Sequence, residues 1–125
     1  MRSALIVFIG SGIGGMARHL VGLASLRLLG PGFPYGTLFI NILGSALMGA
    51  VAGLFALHVS GHAGFRLFLT TGIIGGFTTW STFSLDTITL WQRGQPLAAF
   101  GYVAASLVLS LVFLSAMLIA ARNWG

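Results

Sequence analysis

The sequence predicts an all-α membrane protein with four transmembrane helices, the third of them broken part-way across the bilayer. Three observations predict it. Hydrophobic residues make up 57% of the chain and charged residues 6%, where a soluble domain carries about 25% charged. Apolar runs long enough for a crossing, about 20 residues each, alternate with short turn signals. The third run has poor helix formers at its centre. The 125 residues hold four such crossings as one domain, residues 1–125, with no room for a soluble domain beside them. Four short helices enclose little space alone, so a transport function points to an oligomer.

Span one covers roughly 4–23. Arg2 followed by the apolar stretch Ala4 to Ile9 has the look of a signal peptide, but no A-x-A site follows and the run continues through glycines to Leu23. It is read as the first crossing. Gly30, Pro31, Gly32 and Pro34 mark a turn. Span two covers roughly 37–57, and a polar link with His58, Ser60, Gly61 and His62 follows it. Span three covers roughly 65–91. Arg93-Gly94-Gln95-Pro96 makes the next turn, and span four covers roughly 97–121.

The middle of span three reads Thr70-Thr71-Gly72-Ile73-Ile74-Gly75-Gly76-Phe77-Thr78-Thr79-Trp80-Ser81-Thr82-Phe83-Ser84. Glycines and hydroxyl residues are poor helix formers. At membrane depth a break survives only where protein buries it or where it lines a wet cavity, and such breaks often hold ions. A kinked helix that uses its glycines for close packing fits the residues equally well. Small residues recur at four-residue spacing: Ser45, Gly49 and Gly53 in span two, Gly10 and Gly14 in span one, Gly72 and Gly76 in span three. That spacing brings helix backbones together.

The formal net charge of +5 comes from six arginines scattered singly, Arg2, Arg18, Arg27, Arg66, Arg93 and Arg122. No basic stripe for nucleic acid forms. They lie near the ends of apolar runs, within reach of lipid headgroups. Arg2, Arg66 and Arg122 fall on one side of the membrane, and Arg18, Arg27 and Arg93 on the other. Orientation is set by an excess of Lys and Arg on the cytoplasmic side. With equal numbers, copies are expected to insert both ways round and to pair antiparallel. Cysteine is absent, which removes disulfides and thiol chemistry.

Catalysis finds no footing. Asp86 is the single carboxylate, so no general acid–base pair can be assembled, and His19, His58 and His62 lie near span ends, away from it. His58 and His62 lack a third ligand for a metal. Gly10-Ser11-Gly12-Ile13-Gly14-Gly15 matches G-x-G-x-x-G in form only, because it lies within a span rather than after a strand. Asp86, within a span, is a candidate for proton coupling; an ion pair with Arg18 or Arg93 near the interface is the blander account.

Other polar positions remain. Asn41 follows Thr37 by about one helical turn and needs hydrogen-bond partners if buried. Tyr102, Ser106 and Ser110 form one hydroxyl stripe on span four. They serve either interhelical hydrogen bonds or a track that replaces the water of a moving ion. Such groups donate as well as accept, which suits an anion. Trp80 and Phe83 follow the break directly; either they pack, or their positive ring edges face an anion.

At these residues the chain resembles the Fluc (CrcB) family of small bacterial fluoride channels along nearly its whole length. The match is carried by Gly14-Gly15-Met16-Ala17-Arg18, by Gly36-Thr37-Leu38-Phe39-Ile40-Asn41-Ile42-Leu43-Gly44, and most specifically by Thr71-Gly72 with Gly75 through Ser84. The resemblance implies a dual-topology homodimer of antiparallel subunits in the bacterial inner (plasma) membrane, with two pores along the subunit interface. It implies a structural sodium ion at the dimer centre, held by the backbone carbonyls of Gly75 and Thr78. The fluoride path it implies uses Thr37, Asn41, Trp80, Phe83, Tyr102, Ser106 and Ser110, with Arg18 at the pore mouth. The family usually has Phe at both aromatic positions, so Trp80 is a departure, and Asp86 stands where Glu is common. The implied mechanism is passive electrodiffusion, without ATP or proton coupling. A proton-coupled exporter of organic cations, built around Asp86, is the competing reading, and a membrane assembly subunit without transport is a third.

Overall fold

A computed structural model describes residues 1–57 and 63–123. Its elements are α1 (Arg2–Leu29), α2 (Tyr35–Leu57), α3 (Ala63–Leu67), a π-helical turn (Phe68–Ile74), α4 (Gly75–Phe77), α5 (Trp80–Gln92) and α6 (Pro96–Arg122). All regular structure among the described residues is helical. The link with His58 and His62 lies outside the described residues.

Three helices, α1, α2 and α6, are long and apolar enough to cross a membrane. Large apolar side chains point outward on them, including Phe8, Leu20, Phe39, Leu97, Leu107 and Phe113. A helix that is apolar all round needs lipid or protein on every side, so the chain is a multi-pass membrane protein. The third sequence-predicted span, 65–91, is a broken helical path made of α3, the π-helical turn, α4 and α5.

Two helix ends differ from the sequence reading. The first helix runs to Leu29 rather than 23 and stops at Gly30, whose φ of 77° only glycine adopts freely. Hydropathy marks the depth of lipid, whereas the helix continues until Gly-Pro-Gly-Phe-Pro cannot extend it. The fourth helix opens with Pro96 in its first turn, where a missing N–H costs nothing.

Spatial neighbours fix the topology. Gly10 of α1 lies against Phe68 and Gly72, and Gly14 against Ile73 and Phe77. These contacts advance together, so α1 runs parallel to the third path. Gly49 and Gly53 of α2 meet the carbonyls of Leu114 and Leu118 of α6 in the same sense. Gly36 near the start of α2 faces Gly22 and Ser25 near the end of α1, which makes that pair antiparallel. The four-residue glycine spacings therefore meet in two seams, α1 on the broken path and α2 on α6. A Cβ on Gly76 would stand 2.6 Å from the Ser11 carbonyl oxygen, too close for any side chain. Both readings of the span-three glycines hold: Gly72 and Gly76 serve close packing, and the helix also breaks.

Candidate functional site

The break lies at Thr78 and Thr79, whose backbones are extended (φ −80°, ψ 159° and φ −151°, ψ 123°). Three side chains repair it. Asn41 donates from Nδ2 to the Thr79 carbonyl at 2.9 Å, and its Oδ1 accepts from the Thr79 N–H at 2.8 Å. The Thr79 hydroxyl caps α5 by accepting from the Thr82 N–H at 3.2 Å. Thr78 closes the other side, with its N–H and its hydroxyl both donated to the Ile74 carbonyl, at 3.0 and 3.2 Å.

The break leaves the carbonyls of Gly75, Gly76, Phe77 and Thr78 without their α-helical donors. In an unbroken α-helix the Gly75 carbonyl would accept from the Thr79 N–H, and the Thr78 carbonyl from the Thr82 N–H. Asn41 takes the first donor and the Thr79 hydroxyl takes the second. Gly75 is exposed and Thr78 half-buried. Buried backbone acceptors are seldom left unpaired, and hard cations favour oxygen ligands of this kind. The Gly75 and Thr78 carbonyls are oxygen donors of the type a hard cation takes, as are those of Gly76 and Phe77.

Two cavities meet at Thr79. One is a cleft of about 330 Å3 whose walls include Asn41, Thr78, Trp80, Phe83, Ser106 and Ser110. Its polar groups are all uncharged. Phe83 is buried, with its ring centroid 5.1 Å from that of Trp80 and 5.2 Å from that of Tyr102. Ser106 is buried, and its hydroxyl has no partner among the described residues. The other cavity, about 410 Å3, is a vestibule lined by Arg18, His19, Thr37, Thr82, Asp86 and Arg93 among others. The Arg18 Nε is buried there, again without a partner among the described residues.

Six of the residues singled out in the sequence, Asn41, Thr78, Trp80, Phe83, Ser106 and Ser110, share the cleft. Thr37 and Arg18 line the vestibule. Tyr102 lines neither cavity. It is fully buried, edge-on to Phe33 at 5.5 Å, and its hydroxyl donates to Asp86 Oδ2 at 3.1 Å. Asp86 thus bonds Tyr102 rather than an arginine, although Arg18 and Arg93 line the same vestibule.

Thr79 was not singled out by sequence reasoning, yet it is the wall between the cavities and the anchor of Asn41. A signal was there: a threonine immediately before a helical run is an N-cap pattern.

A multi-pass helical membrane protein with a side-chain-mended break between a charged vestibule and a neutral cleft belongs to the class of small membrane transport proteins. Comparison with known proteins makes this specific. Residues 5–118 match the family model described as CrcB-like protein, Camphor Resistance (CrcB), and the chain belongs to that family. A relative from Granulibacter bethesdensis, named fluoride-specific ion channel FluC, is 57% identical over 111 residues, covering 89% of this chain and 87% of the relative. Relatives of the same name from Mesorhizobium japonicum and Methylobacterium nodulans are each 48% identical, over 98% and 100% of both chains respectively. The family is one of ion channels rather than enzymes.

Proposed function

We propose that this chain is a fluoride-selective channel that exports fluoride passively across the bacterial inner membrane and protects the cell from it. The observation that carries this reading is the cleft beside the break: hydroxyls, one amide and two aromatic rings, with no carboxylate. Neutral donors and positive ring edges can replace part of the water a small anion sheds. The first turn of α5, beginning at Trp80, adds the positive end of a helix dipole, which favours an anion. Relatives that share the whole length of the chain carry the name of a fluoride channel. Nothing favours the exporter, since Asp86 lies outside the cleft and bonds Tyr102.

The working unit in this reading is an antiparallel homodimer. The even division of arginines supports it. So does the exposure of Trp80, 72% in the single chain, since an aromatic that lines an ion path needs a second wall. The Gly75 and Thr78 carbonyls would hold a structural sodium ion at the dimer centre, two oxygens from each subunit. Sodium would neutralise four carbonyl dipoles there and take no part in conduction. Fluoride would enter past Arg18 and Thr37, pass Asn41, and leave along Phe83, Ser106 and Ser110.

Purified protein in liposomes tests the reading. Fluoride should leave the vesicles when a potassium ionophore supplies counter-current, while chloride stays. Fluoride release that demands a pH gradient would point to coupled export, and no release at all would refute a channel.

A further inference from the structure

Asp86 is the one carboxylate side chain of the protein, and it lines the vestibule together with Arg18 and Arg93. Opposite charges that share a half-dry space ordinarily pair. Among the described residues these do not. Asp86 accepts its hydrogen bond from the Tyr102 hydroxyl at 3.1 Å. The Arg18 Nε is buried with no partner, and Arg93 donates to the Pro31 carbonyl at 3.5 Å. A hydroxyl drawn in freely by a carboxylate settles at about 2.5–2.7 Å. The longer distance here means that ring packing, rather than the bond, fixes where the hydroxyl lies. The Tyr102 ring is fully buried and is gripped by Phe83 at 5.2 Å and by Phe33, edge-on, at 5.5 Å and 88°. Phe33 belongs to the turn between α1 and α2, the turn that Arg93 also reaches, and it packs on Tyr35 at 4.8 Å as well.

We propose that Phe33 and Tyr102 form a clamp that holds the Asp86 carboxylate away from Arg18 and Arg93, so that both arginines stay free to attract the anion. This rests on the channel reading above. Phe33 and Tyr102 are positioning residues in this scheme: neither touches the ion. Phe33 sets the ring, the ring sets the hydroxyl, and the hydroxyl sets the carboxylate. Without the clamp, rotation of the Asp86 side chain would bring its carboxylate to the arginines that line the same space. An ion pair there cancels the charge that draws fluoride to the vestibule.

Fluoride release from liposomes, at low and at high ionic strength, tests the clamp with two variants of the full-length protein. Phe33→Leu keeps an apolar side chain and removes the ring edge. Tyr102→Phe keeps the ring and removes the hydroxyl, and it decides the matter if Phe33→Leu does not fold. Each is made with Asp86 present and again in an Asp86→Asn background. With Asp86 present, each should release fluoride about threefold more slowly than native at low ionic strength, and the deficit should shrink as salt screens the arginines. In the Asp86→Asn background neither should slow release further, because no carboxylate remains to pair with them. A mere packing defect would respond neither to salt nor to Asp86→Asn. A deficit that persists undiminished in the Asp86→Asn background, a deficit indifferent to salt, or no deficit at all overturns the proposal and leaves the channel reading standing. Native protein that releases no fluoride removes both.

Discussion

The vestibule around Arg18 and the cleft around Phe83 share Thr79 as a common wall, yet their chemistry is opposite. The vestibule holds two arginines, a histidine, an aspartate and several threonines. The cleft holds hydroxyls, the Asn41 amide, aromatic rings and aliphatic side chains. Near the membrane surface water still screens a charge, so an arginine can attract an anion without trapping it. Deeper, an unpaired charge is strongly disfavoured, and a fixed positive group would hold the anion too tightly to release it. On the proposed channel reading, the contrast teaches how a chain with seven charged residues would serve an ion: charge would gather it, and neutral groups would let it move.

Breaking the wall between the two regions should have the largest effect. Asn41→Asp keeps the size of the side chain, but a carboxylate only accepts hydrogen bonds. The Thr79 carbonyl would then lose its donor and face a negative oxygen, and the carboxylate would repel the anion. Fluoride release from liposomes should fall by about a hundredfold or more, the sum of a lost charge-relevant donor and an unpaired carbonyl. Release within about threefold of native would show that the Asn41–Thr79 pair is not needed.

Shifting the wall without touching either lining comes next. A methyl group on Gly76 would meet the Ser11 backbone of α1, and overpacking of that kind costs about 1–3 kcal/mol. Gly76→Ala should lower thermal stability in detergent and weaken release together. Gly12→Ala is the control, since a Cβ there meets nothing within 4 Å; its stability should match native or rise by up to about 1 kcal/mol. Equal behaviour of the two variants would mean that the α1 seam does not position the break.

The smallest expected effect lies at the vestibule. Arg18→Gln should reduce fluoride release by about two- to fivefold at low ionic strength, and the deficit should shrink as salt screens the charge. A deficit that ignores salt would mean that Arg18 acts through packing rather than as a mouth charge.

Much of this was legible in the chain. Apolar runs punctuated by Gly-Pro and Arg-Gly-Gln-Pro announce the helices and their turns, because helix length and lipid solvation are local and additive. The seven-residue π-helical turn was not announced: α- and π-turns draw on nearly the same residues, and the turn's close neighbours, Gly10 and Gly14 of α1, lie far away in the chain. Tyr102, Ser106 and Ser110 share a helix face by spacing, yet only the serines line the cleft. The Tyr102 ring is captured by Phe33, Phe83 and the Asp86 carboxylate, partners that come from other elements and leave no trace in local spacing.

The sequence alone determined the solvent of this protein, its helices, the glycines able to meet and the place where the third path falters, since each follows from composition and short-range pattern. Only the tertiary structure decided that Asn41 mends the break at Thr79, that Asp86 bonds Tyr102, and that charged and neutral groups fall into separate cavities. The reason is that a hydrogen bond joins residues 38 apart in the chain as readily as neighbours. Which donor meets which acceptor is settled when the helices pack and water is excluded.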